Sequence, residues 1–307
     1  MASIFVTGAT GVIGRRALPL LVAAGHSVAA VGRTPEKRAV IEHAGARAVE
    51  VDLFDSRGVR DAVEGHEIVV NLATHIPPGF RVFLPGAWRE NDRLRREASR
   101  ILADVAIAAG ARRYVQESFA PMYADGGEAW IDERSRLRPA RYNRSTIDAE
   151  ISADRASQAG LDGVVLRFGM FYGPDSSQLR DMIRVVRGGW SPLPGSPEAF
   201  VSPVSHDDAA TAVVAALGVP AGVYNVTDDE PVRRREFVDV LARALGVGEP
   251  RFGPAWLAHL GGSLGELLSR SLRISNRKLR KASSWTPAWP SIREGLPAAV
   301  REMDPTA

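Results

Sequence analysis

The stretch Thr7-Gly8-Ala9-Thr10-Gly11-Val12-Ile13-Gly14 constrains this chain more than any other. It follows a short apolar run, Ile4-Phe5-Val6, and opens a helical pattern that runs to about Ala24. Strand, glycine loop and helix together place a pyrophosphate against a helix N-terminus. Glycines let the backbone turn tightly and approach the phosphates, while free N–H groups and the positive helix end supply the attraction. The spacing is G-x-x-G-x-x-G rather than G-x-G-x-x-G, so its context carries the reading. A second strand-like run at Ser27 to Val31 completes the βαβ pattern. Pro19 lies inside the helical pattern and is expected to kink or shorten it.

Composition narrows the chemistry. The chain has 307 residues, 45% of them hydrophobic and 24% charged, as in an ordinary globular protein. It has no Cys, which removes disulfides, thiolate metal sites and a Cys nucleophile together. No His/Asp/Glu group has metal-ligand spacing, so no metal is expected. The N-terminus enters a strand directly and lacks a basic leader, and no apolar run reaches the ~18 residues of a membrane span. These features predict a cytoplasmic enzyme without a membrane partner. Net charge is only +3, and lysine occurs only at Lys37, Lys278 and Lys281. Arginine clusters at 233–235 and 270–281 have no interleaved aromatic residues, so they read as solvated helix faces rather than a nucleic-acid platform.

Strand-like and helical runs alternate through the first half. Strands are predicted at 47–51, 67–72, 112–117 and 163–168. Helices are predicted at 36–43, 57–63, 88–109 and 143–158. Such alternation predicts an α/β chain with a Rossmann-type, doubly wound parallel sheet. After about Gly173 the rhythm breaks at Pro192, Pro194, Pro197 and Pro203. Helices then recur at 207–217, 234–245 and 292–302, with a strand at 222–226. The expected division is a dinucleotide-binding unit over 1–173 and a smaller C-terminal α/β substrate-side unit over 174–307, with segments free to interleave.

Arg33 stands at the end of the second strand. An acid near that position reads a free ribose 2′-hydroxyl, whereas Arg matches a 2′-phosphate. Val31-Gly32-Arg33-Thr34 has no acid, which points to NADP and leaves NAD as the alternative.

The glycine pattern, Val51-Asp52-Leu53 and Asn71-Leu72-Ala73 resemble the short-chain dehydrogenase/reductase superfamily. More narrowly, they are similar to its extended branch, the NAD(P)-dependent epimerase/dehydratase family. Residues 167–174 (RFGMFYGP), 204–209 (VSHDDA) and 222–226 (GVYNV) resemble later segments of that branch. The likeness covers about residues 3–245. It implies cofactor contacts at Gly8, Gly11, Val12, Ile13, Arg33, Asp52, Leu53, Leu72, Ala73, Tyr142 and Phe168, with Asp52 on the adenine edge.

The family's chemistry uses Tyr-x-x-x-Lys at the start of a helix and a Ser or Thr on the fifth strand. The phenol moves a proton to or from the substrate oxygen, and the Lys lowers its pKa. Here the segment is Tyr142-Asn143-Arg144-Ser145-Thr146, so Tyr142 is present and Thr146 stands where Lys is expected. Counting back from Tyr123, the usual hydroxyl position is Phe119, and its neighbour Ser118 is the substitute. Tyr142 and Ser118 are the catalytic candidates. His75, Phe119, Arg180 and Trp190 are substrate-side candidates. Without the Lys, the phenol is a poor base but a usable acid. That favours an NAD(P)-dependent oxidoreductase acting on a small carbonyl or hydroxyl compound, with reduction the favoured direction. A sugar-nucleotide epimerase or dehydratase and a non-enzymatic NADP-binding sensor are the alternatives. The helix at 88–109 offers a face for a homodimer.

Overall fold

A computed structural model describes residues 1–77, 81, 82, 84, 86–254, 256 and 262–303. Seven strands form one parallel sheet: β1 Ser3–Thr7, β2 Ser27–Val31, β3 Arg47–Val49, β4 Ile68–Asn71, β5 Arg113–Phe119, β7 Asp162–Phe168 and β11 Gly222–Val226. Their order is β11-β7-β5-β4-β1-β2-β3. The order reverses on either side of β1, because β1 pairs in parallel with both β2 and β4. A ligand crevice opens at such a switch point, beyond the C-terminal strand ends.

Alternation along β1 separates the two faces. Ile4 and Val6 enter one buried cluster with Leu18, Leu21 and Val213, while Phe5 enters another with Val59, Leu102 and Tyr114. The first face is covered by α1 Gly14–Ala23 and α8 His206–Ala215, which pack together. The second is covered by α3 Ser56–Val63, α5 Ser99–Ala108 and α6 Ser145–Gln158. Burial on both sheet faces is why these strands read as near-continuous apolar runs. Helix α1 continues through Pro19.

The long helix expected at 88–109 is built in three parts. α4 Arg89–Arg93 leads into a π-helical turn, Leu94–Ala98, and then into α5. Helix α6 is preceded by a 3₁₀ turn at Arg141–Asn143, so Tyr142 lies just outside the helix proper.

Strand β11 joins the main sheet beside β7, register Gly222 to Val164 and Val226 to Phe168, although it follows the proline-punctuated stretch. The remaining C-terminal residues form a smaller layer. Short pairs β8 Met170–Tyr172 with β10 Pro203–Ser205, β9 Phe200–Val201 with β12 Val232–Arg233, and β6 Trp130–Ile131 with β13 Arg273–Ile274 tie it together. Helices α2 Pro35–His43, α7 Ser177–Arg187, α9 Arg234–Ala244, α10 Gly262–Ser269, α11 Arg277–Ala282 and α12 Ile292–Met303 complete the chain. A third buried cluster, with Leu179, Ile183, Phe237, Leu241, Ile292 and Leu296, packs α7, α9 and α12 together. No described helix is long and apolar enough to cross a membrane.

Candidate active site

The glycine loop is shaped by close backbone approach. Gly8 has φ +71°, and a Cβ there would stand 2.3 Å from the Leu72 carbonyl oxygen. A Cβ on Gly14 would stand 2.2 Å from the Gly8 oxygen. The first and third glycines therefore let β1, β4 and the start of α1 meet. The first helical bonds run from Arg15 N to Gly11 O and from Ala17 N to Ile13 O, at 3.0 and 2.9 Å. Amides ahead of them, at Val12 and Ile13, have no helical carbonyl to donate to. That is the donor set a pyrophosphate requires.

A hollow of about 220 Å³ opens beside this loop. Gly8, Gly11, Arg33, Asp52, Leu53, Leu72 and Ala73 line it, together with Thr10, Val31, Lys37, Phe54, Thr74 and Leu94. Seven of the positions expected from the sequence thus converge on one cavity. Of the others, Val12 is exposed and Ile13 buried, while Phe168 is fully buried against Phe171, rings 5.5 Å apart. Lys37 was missed by the sequence reading, although it is the sole Lys before Lys278 and sits one turn beyond Arg33. Thr34 caps α2 by accepting from Lys37 N, which fixes both cations at the same rim.

Polar groups buried below the crevice hold its floor. Asn71 accepts from Thr7 Oγ1 at 2.6 Å and donates to Gln116 Oε1 at 2.9 Å and Ser99 Oγ at 3.1 Å. Its Oδ1 also accepts from Ala73 N at 3.2 Å, which shapes the chain leaving β4. Asn71 belongs to the Asn71-Leu72-Ala73 segment singled out in the sequence, whereas no motif isolated Gln116 or Ser99.

Tyr142 is half-buried and stacks on Trp88, rings 4.7 Å apart. Its hydroxyl makes no hydrogen bond to the described residues. Burial pushes the phenol pKa well up; Arg95 and then Arg270 pull against it. Thr146, four residues on, is fully buried and accepts a 2.8 Å hydrogen bond from Arg95 Nη1. Arg95 comes from the π-helical turn and also donates to Glu117 at 3.2 and 3.4 Å. Burial raises the Glu117 carboxyl pKa, Arg95 lowers it and Glu150 raises it further.

Ser118 is fully buried and donates to Glu150 Oε1 at 2.5 Å. Glu150 also accepts from Arg167 Nε at 2.7 Å and Nη2 at 2.6 Å, and Arg167 donates to Tyr123 Oη at 2.7 Å. The Ser118 hydroxyl is thereby held in a network reaching from β5 to α6 and β7. Phe119 ends β5, half-buried. His75 is exposed, with its backbone N bonded to Asn91 Oδ1 at 2.9 Å. Arg180 is exposed on α7. Trp190 is 53% exposed and lines a separate hollow of about 400 Å³ with Val186, Gly188, Val247 and Arg251, none of which borders the first cavity.

Comparison with known proteins agrees with this geometry. A family model described as NAD(P)H-binding matches residues 8–220. A 3-diazoavenalumate denitrifying reductase from a Streptomyces species is 36% identical over 305 residues, covering 95% of this chain and 98% of that one. A 4-hydroxy-2-methyl-3-oxo-4-farnesyl-3,4-dihydroquinoline-1-oxide ketoreductase from Stigmatella aurantiaca is 28% identical over 285 residues, covering 87% and 81%. A crystal structure of UDP-glucose 4-epimerase from Thermotoga maritima superposes with a TM-score of 0.80 over 99% of both chains, at 21% identity. That last likeness is one of fold.

Proposed function

The chain belongs to the NAD(P)H-binding family, with the fold of the extended short-chain epimerase/dehydratase branch, and on that premise we propose that it is an NADPH-dependent reductase of a small electrophile. The observation that carries the direction is Tyr142: a phenol kept protonated by burial, with Thr146 in place of a nearby Lys. A neutral phenol donates a proton to a developing oxyanion. Oxidation of an alcohol would need a base, and here burial disfavours the phenolate. The epimerase and dehydratase reading begins with such an oxidation, so it is the weaker one.

Arg33 and Lys37 support NADP over NAD. Both line the hollow beyond β2, and a guanidinium with an ammonium suits a 2′-phosphate. The Val12 and Ile13 amides would receive the pyrophosphate, and Asp52 and Leu53 would border the adenine. When bound, NADPH supplies hydride. Tyr142 then supplies the proton at the substrate oxygen, and Trp88 fixes the phenol ring by stacking.

The relatives and the acid support two candidate substrate classes. One is a ketone, whose oxygen Tyr142 would protonate while bound NADPH supplied the hydride. The other is a diazo compound, whose carbon would take that hydride, with a proton, as N2 leaves. The Streptomyces relative is named for a denitrifying reduction of a diazo compound, which places the second candidate first in a screen.

The test is NADPH oxidation in the presence of diazo compounds and small ketones, with dinitrogen or alcohol measured as product. Turnover that is lost by orders of magnitude in Tyr142→Phe on the ketone supports the reading. Turnover of UDP- or dTDP-sugars with retained cofactor would overturn it. No turnover at all, with oxidised and reduced cofactor bound at different affinity, would favour a redox sensor instead.

A further inference from the structure

We propose that Arg95, presented by the π-helical turn, supplies the positive charge that Thr146 cannot, and so acts as the positioning residue for Tyr142. The proposal rests on the reading of Tyr142 as the proton donor.

Three observations meet at this point. The first is geometric. Arg95 Nη1 donates to Thr146 Oγ1 at 2.8 Å, so the guanidinium lies against the residue one helical turn beyond the Tyr142 segment. The second is structural cause. A π-turn adds one residue to a helical turn, rotating the side chains that follow, and such turns mark functional sites. Within Leu94–Ala98 it buries Leu94, Arg95 and Ala98, and leaves Arg96 exposed to pair with Asp148. Arg95 is 4% exposed where this turn packs against α6.

The third is incomplete satisfaction. Arg95 Nε, Asn91 Nδ2, both polar atoms of the Asn143 side chain and Ser145 Oγ are buried without hydrogen-bond partners among the described residues. All five belong to α4 and its π-turn or to the turn that opens α6, the two elements that flank Tyr142. Buried polar atoms of this kind hold ordered water or a ligand group.

The charges around the phenol are few. Arg95, on the π-turn, and Arg270, after α10, are the two cations whose charge acts on it. Arg270 is committed to the carbonyls of Tyr123 and Arg138, at 3.0 and 2.6 Å, and to Glu266 at 3.4 Å. Arg141 and Arg144, on Tyr142's own turn, are exposed. Glu117 lies behind Arg95 on β5, with Glu150 beyond it on α6. Of the two, Arg95 is the one held one helical turn from Tyr142, at Thr146, with its Nε unpartnered among the described residues. A cation favours the phenolate, which makes the neutral phenol a stronger acid in the reducing direction.

The experiment uses full-length protein labelled with fluorinated tyrosine, whose phenol titrates in an accessible range. The chain has five tyrosines, and Tyr142→Phe assigns the resonance. In Arg95→Met the residue-142 phenol should become an acid weaker by about tenfold or more, with NADPH affinity changed less than about threefold. Arg95→Lys, or Arg95→Met combined with Thr146→Lys, should restore it. On a turned-over substrate, kcat should fall with KM little changed. Should Arg95→Met fail to fold because Glu117 is left unpaired, Arg95→Met/Glu117→Gln removes both charges and gives the same readout. A folded variant with unchanged phenol acidity overturns the proposal. Retained turnover in Tyr142→Phe would instead overturn the reading of Tyr142 as acid, and the phenol titration, which needs no substrate, would still decide Arg95.

Discussion

Gly8 shows how a single residue sets the crevice. Its left-handed backbone and its contact with the Leu72 carbonyl leave no room for a side chain. Gly8→Ala should destabilise the fold by about 2 kcal/mol or more, from the left-handed backbone and the forced separation of β1 from β4. Denaturant unfolding would measure it, and cofactor affinity should fall with it. Arg33 and Lys37 act differently, because neither supports packing. If the cofactor is NADPH as proposed, replacing either by Ser should weaken its binding about tenfold and leave NADH within about twofold, since only a 2′-phosphate contact would be lost. Equal losses for both cofactors would return the preference to NAD.

At the scale of elements, the start of α8 is the most tightly closed joint. Ser205 caps the helix by accepting from Asp208 N at 2.9 Å and donates to Asp208 Oδ2 at 2.7 Å. Asp208 also accepts from Ala288 N at 2.5 Å and Trp289 N at 3.2 Å, which pins the chain ahead of α12 to the main layer. Burial raises the Asp208 carboxyl pKa, and the bonds from Ala288, Ser205 and Trp289 pull it back. Asp208→Ala would take the shared acceptor from the Ala288 and Trp289 N–H groups and from the Ser205 hydroxyl, while the backbone cap at Asp208 N stays. A loss of about 1–3 kcal/mol in unfolding free energy is expected, without a matching change in the cofactor hollow. The π-turn is the opposite kind of element, one that gives up regular helical bonding to bring Arg95 inward.

For the whole molecule, the two layers meet around His206. Its Nδ1 lies 2.7 Å from Asp175 Oδ1, yet burial first, then Arg16 and Arg15, bring its pKa down to about 4. Asp175 fails to hold the proton because Arg15 and Arg16 already neutralise it. His206 is therefore neutral in the folded state down to about pH 4, whereas the unfolded chain takes up its proton near pH 6.5. Between those values the unfolded state binds more protons, so this group's contribution falls as pH falls. The difference in stability between wild type and His206→Gln should shrink by roughly 3 kcal/mol at most from pH 7 to pH 4. A pH-independent difference would mean that Asp175 keeps the imidazole charged. Asp228, whose carboxyl burial raises well above the usual range, acts in the opposite sense, which is why the variant comparison is needed. Saturating NADPH, at about 100 times its Kd, should add about 2.7 kcal/mol to the folded state.

The sequence alone determined the sheet and the cofactor half. Strands buried on both faces leave apolar runs, and a backbone that meets another backbone admits only glycine, so both signals are local and survive in one dimension. β2 and β11 occupy their expected spans, and seven of the expected contacts share one hollow. The 3₁₀ turn under Tyr142 and the π-turn under Arg95 were not legible, because the period of a helix does not reveal one extra residue in a turn. Nor was the fate of Ser118: its partner Glu150 is 32 residues away and is chosen by the packing of α6 on β5. Only the tertiary structure decided which cation stands beside Thr146. The chain order places Arg95 and Thr146 51 residues apart, and side-chain charge is positioned by packing across elements rather than by spacing within one.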